Sequence, residues 1–576
     1  MNLVEAFRTD RRWMTAALLF AVAVIFLNLG SDGMYAAQEG RTAIITRNML
    51  LSRNFLDMDA ADGILYEKPI GHYWLCAPFA WIFRLDAPEP ISVAAEWALR
   101  LPSALSALLA VALAAALAAR IYGARAAAVT MIVLSSMPTF NNLARLAHID
   151  MPLAAAHTAA MYFLYTGYFE ELRCNRRIYG FYAALGWGMV LKGPLVVLLA
   201  GLTVLGMMLW SRRWKMVWEL RPLSGGFLFL LIALPWYVVE TLRTDGAFFD
   251  EFIVNQNLRR FTGIGSTYRD GERMPLWYYF PKLLAGALPW SFAAVAAAVL
   301  RFRALIRLKF RPATVFLLMW LLTGFLFFSL SALKRGDYLL PVYPALAILT
   351  ARAVETGCRS LPRLDRRWIR GFAAFAALLV LGLVLVRCGV AARFGELIVE
   401  EKIRAISQAD GRNIVIYSSY ANRFFPAVLL AAALLSAAIF FGCRQAERGR
   451  YFTVLGSCSA LIFAALLAYN CVLQPGTDGM KTVKPFVRQA QALIPPGGEV
   501  EYASGYNTEL IFFLNRRYER NPKRPLRFVM ASPKHAAKLR KKAPEAWREL
   551  FRTPEGHHYP IVMLERLPED GGSRGR

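Results

Sequence analysis

Long apolar blocks alternate with short arginine-rich stretches along most of the chain. Many blocks approach 20 residues, the length at which a helix rising 1.5 Å per residue crosses a ~30 Å hydrocarbon core. This pattern predicts an all-α, polytopic membrane bundle rather than a soluble fold. The roughly 13 predicted transmembrane helices cover residues 13–30, 97–119, 125–142, 151–169, 178–191, 193–210, 223–242, 280–300, 313–332, 338–355, 371–388, 424–442 and 452–472.

The distribution of arginine predicts the orientation of the bundle. Residues 72–83 form an apolar stretch that is short and contains Pro78, so it can be read as a span or as a helix lying in the interface. If the N-terminus is cytoplasmic and this stretch does not cross, every dense basic loop falls inside, as the positive-inside rule requires. We therefore predict that 31–96 is an exterior loop containing membrane-surface helices.

The segment after the last predicted span differs in composition from the rest of the chain. Within 474–576, Val500–Ala503, Leu526–Met530 and Ile561–Leu564 have strand-like patterns, with helical patterns between them. We predict a transmembrane domain over 1–473, which includes the exterior loop 31–96, and a small exterior α/β domain over 474–576.

The excess of basic over acidic residues needs an explanation in terms of the protein's binding partner or its location. The chain has a formal net charge of +27, yet it lacks an aromatic-interleaved basic patch, so no nucleic-acid partner is predicted. Membrane lipid and a phosphate-bearing substrate account for the basic residues better. Walker, GxSxG and HExxH motifs are absent from the sequence, which disfavours ATP-driven, serine-hydrolase and zincin chemistry.

Polar groups recur at the predicted exterior ends of the apolar helices. Ionisable residues at membrane depth are costly and usually functional. The set combines carboxylates suited to acid–base work with cations suited to binding a phosphate. Its members are Asp32, Glu67, Lys68, His72, Arg145, His148, Asp150, Lys192, Arg259, Arg260, Lys334, Arg335 and Tyr338.

Several of these residues also have purely structural interpretations. Asp150 follows His148 at a helix start and is a candidate helix cap. Glu67 and Lys68 form a candidate surface ion pair. Lys334 is a candidate for snorkelling from a helix end. The adjacent histidines 557 and 558 are too weak a pattern to predict a metal site.

Eight short motifs occur in an order that resembles the GT-C membrane glycosyltransferases. The similarity is to the branch that contains the bacterial lipid A aminoarabinose transferase and the protein O-mannosyltransferases, and it runs from about residue 30 to about residue 349. The motifs are Ser31-Asp32-Gly33-Met34-Tyr35, Tyr66-Glu67-Lys68-Pro69, His148-Ile149-Asp150-Met151-Pro152, Leu191-Lys192-Gly193-Pro194, Arg259-Arg260-Phe261, Pro275-Leu276-Trp277-Tyr278-Tyr279, Leu288-Pro289-Trp290 and Lys334-Arg335-Gly336-Asp337-Tyr338-Leu339-Leu340-Pro341.

The resemblance implies a location and a set of roles. It implies a multi-pass protein of the bacterial inner membrane whose active site and C-terminal domain face the periplasm. It also implies a catalytic acid in the first exterior loop. Carried over, Lys68, Arg260 and Tyr338 resemble phosphate ligands, and Glu67 and Asp150 resemble site carboxylates. Together with the polar residues at the exterior helix ends, this gives Asp32, Asp150 and Glu67 as expected catalytic residues and Lys68, Arg260, Arg259, Tyr338, Lys192 and Lys334 as expected donor-phosphate ligands.

Two positions depart from the family pattern. Ser31-Asp32 stands where the family usually has Asp-Glu, so either Asp32 supplies the acid with a shift of one residue or the usual acid is absent. Asn257 stands where the aminoarabinose branch has a histidine. No residue is assigned as a metal ligand and no cofactor is predicted, while dependence on a divalent metal is left open.

The sequence and the resemblance together predict an inverting glycosyltransferase. It would move one sugar from an undecaprenyl-phosphate-type donor to an exported lipid, such as lipid A, or to a glycan or protein acceptor. Two alternatives stay open. A transporter or flippase of lipid-linked sugars would have inverted repeats and helices broken near the membrane centre. A catalytically inactive relative would bind the same lipid without transferring the sugar.

Overall fold

The computed structural model divides the chain into two compact units. The first contains residues 1–29, 45–87 and 97–362, and the second contains 30–44, 88–96 and 363–576. The residues that the structure describes are 1–30, 33–34, 37–60, 63, 65–86, 94–259, 274–300, 310–331, 334–360, 385, 388–399, 414–416, 418, 459, 462–463, 466, 469–470, 478, 480–495, 497–503, 507–515, 517–519, 525–554 and 557–567.

The secondary-structure elements in the described part of the first unit are all helices. Apolar composition and favourable helix starts explain this, since prolines occupy the first turns at Pro138, Pro222 and Pro312. Its helices are Leu3–Thr9, Arg11–Phe26, Gly71–Ile82, Ala124–Ser136, Pro138–Ala144, Asp150–Leu164, Tyr165–Phe169, Ile178–Lys192, Leu195–Ser211, Met216–Glu219, Pro222–Arg243, Ala247–Phe249, Asp250–Arg259, Leu276–Tyr278, Tyr279–Gly286, Ser291–Leu300, Pro312–Leu330, Gly336–Val342 and Tyr343–Ser360. Ala37–Ser52 and Ala94–Tyr122 each contain residues of both units.

Among the described residues, three helices are long and apolar enough to cross a membrane. They are Ala95–Tyr122, Pro222–Arg243 and Pro312–Leu330, which coincide with three predicted spans. The prediction of about 13 spans stays a prediction. The last three predicted spans, 371–388, 424–442 and 452–472, lie largely outside the described residues.

The prediction of one continuous span over 280–300 is wrong. Helices Leu276–Gly286 and Ser291–Val299 meet at an angle of 117°, and together they can supply at most one further, broken span. Pro289 lies in the break, where its missing N–H and its ring prevent the helix from continuing. The predicted span 125–142 is also interrupted, because one helix ends at Ser136 and the next begins at Pro138.

The 72–83 stretch forms a helix too short to cross a bilayer. Gly71–Ile82 has 12 residues, which at 1.5 Å per residue reach about 18 Å of a ~30 Å core. Its first turn packs into a buried cluster that includes Tyr73, Val190, Trp236 and Phe248. This packing fixes the chain directly after Glu67 and Lys68 against the helix that ends at Lys192.

The second unit contains a mixed sheet of five strands. They are β1 (Glu499–Tyr502), β2 (Arg517–Glu519), β3 (Phe528–Ala531), β4 (Trp547–Arg552) and β5 (Val562–Arg566), in the order β2-β1-β3-β5-β4. β1 pairs in parallel with β2 and β3, and β5 is antiparallel to β3 and β4. Val529, Ala531, Val562 and Leu564 form its core with Ala536.

In the sequence, the described helices of this unit lie before and between the strands. They are Val390–Val399, Lys484–Leu493, Thr508–Leu514, Pro533–Lys542 and Pro544–Ala546. β1, β3 and β5 overlap the three predicted strand segments. The unit also contains 30–44, 88–96 and 363–473. The predicted division into domains at residue 473 stays a prediction.

Candidate active site

Asp150 opens a helix of the first unit, and its carboxylate is buried. The residue is 4% exposed and stands in the first turn of Asp150–Leu164, where the helix dipole favours a negative charge. The residue at the cap position is Ile149, whose side chain makes no capping hydrogen bond, and the Asp150 N–H donates to Nδ1 of His148 at 3.3 Å. The helix-cap interpretation of Asp150 is therefore wrong, and its carboxylate contacts other side chains.

Lys192 supplies the first of these contacts. It ends helix Ile178–Lys192, and its ammonium group forms a direct ion pair with the Asp150 carboxylate. Gly193 follows with φ near +97°, and a Cβ there would lie 2.5 Å from Cζ of Phe252. Only glycine fits this turn without strain, so the backbone fixes the place from which the Lys192 side chain starts.

His148 links Asp150 to a third segment. Its Nδ1 lies 3.1 Å from Oδ2 of Asp150, and its Nε2 lies 3.7 Å from Oδ2 of Asp337. The imidazole is 5% exposed. Ser103 fixes the His148 backbone from a neighbouring helix, since its hydroxyl lies 3.2 Å from the His148 nitrogen and 3.3 Å from its carbonyl oxygen.

The segment that begins at Lys334 contributes two further groups. Arg335 Nη2 lies 3.2 Å from Oδ2 of Asp337, and the Arg335 backbone N–H donates to the hydroxyl of Tyr279 at 3.1 Å. The Lys192 ammonium lies 4.9 Å from the centroid of the Tyr338 ring, within the range of a cation–π contact. Lys192 and Arg335 are thus each paired with a carboxylate, and His148 lies between these two carboxylates.

The first-loop segment reaches the same cluster through His72. This side chain is 1% exposed and interacts electrostatically with Lys68, His148 and Asp150. Glu67 and Lys68 are half-buried rather than exposed, so they differ from an ordinary surface pair. Four separate segments thus converge on one charged cluster, which we call the Asp150 cluster: Lys68, His72, His148, Asp150, Lys192, Arg335, Asp337 and Tyr338.

The remaining predicted residues do not all join this cluster. Asp32 and Arg260 lie outside the described residues. Arg259 is exposed, and its guanidinium donates to Oδ1 of Asn255 in its own helix at 2.8 Å. Lys334 is buried, and its ammonium donates to the carbonyl of Ser331 at 2.5 Å rather than to a group of the cluster.

Sequence reasoning missed Asp337 and gave His148 no role. Both lie in motifs that the sequence analysis quoted, but nothing in one-dimensional spacing shows that an imidazole from residue 148 meets a carboxylate from residue 337. The available signal was chemical: each is an ionisable residue beside an apolar helix, where such residues are seldom neutral to function.

Three groups of the cluster offer donor atoms suited to a divalent cation. The donor atoms of His148, Asp150 and Asp337 all lie within 4.8 Å of one another. Imidazole and carboxylate ligands suit several divalent metals. However, the Lys192 ammonium already neutralises Asp150, so a metal ion fits these residues only if Lys192 moves away. We therefore assign no chemical step to a metal.

Comparison with known proteins finds similarity to glycosyltransferases. Residues 67–238 match the family model described as dolichyl-phosphate-mannose-protein mannosyltransferase. The chain is 29% identical over 357 residues to undecaprenyl phosphate-alpha-4-amino-4-deoxy-L-arabinose arabinosyl transferase 2 of Pseudomonas fluorescens, covering 61% of each chain. It is 28% identical over 383 residues to the corresponding transferase of Pseudomonas paraeruginosa, covering 66% of this chain and 65% of that one.

The chain is related to the aminoarabinose transferases and the mannosyltransferase family. The aligned region spans less than two thirds of the length of these relatives. The crystal structure of ArnT from Cupriavidus metallidurans bound to undecaprenyl phosphate matches with a TM-score of 0.72 at 22% identity, covering 96% of this chain and 98% of that one. This likeness shows a shared GT-C fold, as the motifs predicted.

The match to the mannosyltransferase model includes most of the Asp150 cluster. It begins at Glu67 and contains Lys68, His148, Asp150 and Lys192. Asp337 and Tyr338 lie beyond the matched residues. The part of the chain that resembles the family model is thus the part that supplies the buried carboxylate and its two immediate partners.

Proposed function

We propose that the chain is an inverting glycosyltransferase of the bacterial inner membrane that uses a polyprenyl-phosphate-linked sugar. The acceptor would be an exported lipid, such as lipid A, or a glycan or protein. The observation that carries the proposal is the buried His148–Asp150 pair with two cations beside it: Lys192 pairs with Asp150, and Arg335 pairs with Asp337, which lies 3.7 Å from His148. Lys68 acts electrostatically on the neighbouring His72. Related proteins named as undecaprenyl-phosphate aminoarabinose transferases support this choice of donor.

The cations would stabilise the leaving group. In an inverting transfer, the acceptor hydroxyl oxygen attacks the anomeric carbon from the face opposite the phosphate. The bond from that carbon to the phosphate oxygen breaks, and the polyprenyl phosphate leaves with the electron pair. Positive groups in a desolvated site stabilise that growing charge. We assign this role to Lys68, Arg260, Arg259, Tyr338, Lys192 and Lys334.

Three of these assignments need a rearrangement. Lys192 is bound to Asp150, Lys334 to the Ser331 carbonyl, and Arg259 to Asn255. A phosphate competes well for Lys334 and Arg259, whose present acceptors are neutral, because hydrogen bonds between charged groups are stronger. Lys192 already has an anionic partner, so the phosphate would have to compete with Asp150 for its ammonium group. Donor binding would therefore draw these side chains away from their present partners.

The carboxylates would divide two tasks between them. A base must accept the proton of the acceptor hydroxyl, and we assign that role to Asp32. Asp150 is held in contacts with Lys192 and His148, which stabilise its charged form and make it a poor proton acceptor. It fits better as the group that positions the cations. Glu67 remains a third candidate acid or base beside Lys68.

We also infer the membrane orientation from the arginine distribution. The N-terminus would be cytoplasmic, the chain would cross about 13 times, and the Asp150 cluster would face the periplasm. Residues 474–576 would form the exterior domain, and 1–473 the transmembrane domain with its exterior loop 31–96. The helices Ala95–Tyr122, Pro222–Arg243 and Pro312–Leu330 support the placement of three of these crossings.

Mass spectrometry of envelope glycolipids from a deletion strain tests the activity. A glycosylated lipid should disappear on deletion and return with the wild-type gene but not with Asp150→Asn. Glu170→Gln is the matched control, because Glu170 is a half-buried carboxylate paired with Arg120 outside the cluster. An unchanged glycolipid profile in the deletion strain would reject the proposal.

Reconstituted proteoliposomes separate the proposal from its two rivals. An enzyme joins the sugar of undecaprenyl-phosphate-linked donor to an acceptor glycolipid. A flippase equilibrates the donor between leaflets without forming a glycosidic bond, and an inactive relative binds undecaprenyl phosphate and does neither. The second and third outcomes each contradict the transferase assignment.

A further inference from the structure

The second unit holds the backbone that follows Asp32 in the sequence. The Gly33 N–H donates to Oδ1 of Asp478 at 2.7 Å. The Met34 N–H donates to Oε1 of Glu509 at 3.2 Å. Both carboxylates are more than 440 positions away in the chain, yet they bind two consecutive backbone groups of the segment that begins with the Ser31-Asp32 motif.

Glu509 is itself fixed by several contacts. Its Oε1 accepts a hydrogen bond of 2.6 Å from the Thr482 hydroxyl, and its Oε2 accepts one of 3.3 Å from the Val483 N–H. The side chain is 1% exposed and stands in helix Thr508–Leu514, whose N-cap Asn507 accepts from the Leu510 N–H at 2.9 Å. A carboxylate with this many donors keeps one conformation.

Thr482 is fixed in turn by backbone and imidazole contacts. Its N–H donates to the Asp478 carbonyl at 2.8 Å. Burial lowers the pKa of His557, whose Nε2 lies 3.0 Å from the Thr482 carbonyl oxygen and whose Nδ1 lies 2.8 Å from the Tyr559 carbonyl oxygen. The Nδ1 atom accepts from the Tyr559 N–H at 3.0 Å. Both ring nitrogens of His557 thus contact backbone groups, one of Thr482 and the other of Tyr559.

Neighbouring side chains pack closely against Gly33 and Gly40. A Cβ on Gly33 would lie 2.6 Å from Cβ of Thr482 and 2.7 Å from Oε1 of Glu509. A Cβ on Gly40 would lie 2.4 Å from Oγ1 of Thr508. The same unit also contains an ion pair of Lys484 with Glu96, whose side chain is fully buried. Small residues at 33 and 40 are what permit this approach.

We propose that Glu509 and Asp478 are positioning residues for the transferase, which hold the Gly33–Met34 backbone directly after Asp32 in the sequence. This inference rests on the proposed function, because it gives the C-terminal part of the chain a task in that reaction. In this proposal neither Glu509 nor Asp478 contacts the substrate. A displacement of about 1 Å in a catalytic group can cost about 100-fold in rate. Holding the backbone next to such a group in one position should therefore have a measurable effect on the rate.

Substitutions at Glu509 separate positioning from binding. Glu509→Ala removes the three acceptor contacts and should lower kcat by roughly 10- to 100-fold. The Kd for undecaprenyl phosphate should stay within about twofold, since Glu509 is assigned no contact with phosphate. Glu509→Gln keeps an oxygen for Met34 and Thr482 and should recover much of the loss. Asp478→Ala and Asp478→Asn should behave as a second such pair.

Glu549→Ala is the matched control. Glu549 is a carboxylate on β4 of the same unit, and it forms ion pairs with Arg540 and Arg552 rather than contacts with residues 33–34. It should leave kcat unchanged. Equal losses in Glu549→Ala and Glu509→Ala, or equal losses of kcat and donor affinity in Glu509→Ala, would point to general destabilisation and overturn the proposal.

We call the contacts of Glu509 and Asp478 with the Gly33–Met34 backbone the clamp. Hydrogen exchange tests the clamp without relying on activity. The amides of Gly33 and Met34 should be protected in the full-length protein, and Glu509→Ala should raise exchange in the peptide that contains Met34. Unchanged exchange would overturn the clamp. Raised exchange with wild-type kcat would overturn its role in positioning. If the wild type transfers no sugar but the exchange result holds, the proposed function fails while the clamp stands.

Discussion

The Lys192 ammonium and the Asp150 carboxylate form an ion pair that joins the end of one helix to the start of another. Lys192 is in the last turn of Ile178–Lys192, and Asp150 is in the first turn of Asp150–Leu164. Each charge has the sign that its helix end favours. The pair is therefore stabilised by both helix dipoles as well as by direct attraction, and it fixes the level at which the two helices meet.

A double-mutant cycle should show strong coupling between these two residues. Removing one partner leaves an uncompensated buried charge, which typically costs ~3–5 kcal/mol, whereas replacing both costs much less. We expect Asp150→Asn and Lys192→Met each to lower the unfolding temperature in detergent more than the double variant does. Additive losses would contradict a direct pair. The cycle Glu170→Gln with Arg120→Met provides a comparison at a more exposed ion pair.

Replacing Lys68 should weaken donor binding. A lost hydrogen bond to a charged group costs about 1.5–3 kcal/mol, which corresponds to a roughly 10- to 150-fold rise in Kd. Lys68→Ala should show this rise for undecaprenyl phosphate, and Arg260→Ala should do the same. Lys215→Ala, at an exposed lysine beside helix Met216–Glu219, is the control. Unchanged affinity in both test variants would remove them from the phosphate site.

Much of the Asp150 cluster was predictable because ionisable residues stand out against apolar helices. His148, Asp150, Lys192 and Tyr338 were all selected or quoted from sequence for that reason. Their pairing was not predictable: Lys192 was expected to bind phosphate, which stays a prediction, and its ion pair with Asp150 was not foreseen. Contacts across 42 positions depend on helix packing and side-chain rotamers, which local sequence does not specify.

The fold shows the same division between what periodicity reveals and what tertiary packing decides. Long apolar helices such as Pro222–Arg243 follow directly from composition. The bend of 117° between Gly286 and Ser291 does not, because the apolar pattern runs through it. Glu509 was overlooked although a carboxylate inside the apolar run Thr508–Leu514 is an available signal, since such a group needs buried donors.

Labelling of single cysteines tests the proposed orientation. In a background with the seven native cysteines replaced, Lys541→Cys should react with an impermeant reagent added to intact cells, because that position would be periplasmic. Arg173→Cys should react only after the membrane is opened. Both positions are exposed, so accessibility within the fold does not separate them. The reverse pattern would invert the predicted topology.

Stability should depend on pH through Glu509. Burial is the main cause that raises the pKa of this carboxyl to about 7, while hydrogen bonds from Thr482 and Val483 and the charge of Lys484 oppose the rise and Asp478 adds to it. A raised carboxyl pKa means that the folded state binds more protons. The stabilisation that the Glu509 carboxyl gives to the folded state is therefore fully present below pH ~4.5, and it declines as the pH rises towards 7.

Glu509→Gln should remove this decline. The variant cannot ionise, so its unfolding temperature should change less than that of the wild type between about pH 4.5 and 7, with a difference of up to about 3 kcal/mol in unfolding free energy. Glu549→Gln should retain the wild-type profile. Parallel pH profiles for the wild type and Glu509→Gln would show that Glu509 does not titrate in this range.

Asp32→Asn should abolish most turnover while leaving donor binding nearly intact. The substitution keeps the shape of the side chain and removes its charge, and an acid–base role typically contributes ~100- to 10,000-fold. Asp150→Asn is the informative comparison, because Asp150 is held by Lys192 and should act through the cations, so that its loss also alters the Kd for undecaprenyl phosphate. If Asp32→Asn retains wild-type turnover while Asp150→Asn is inactive with normal donor affinity, the base is Asp150 and the ion pair must open during the reaction. If both variants remain fully active, proton transfer to either carboxylate is ruled out, and Glu67 becomes the carboxylate to test.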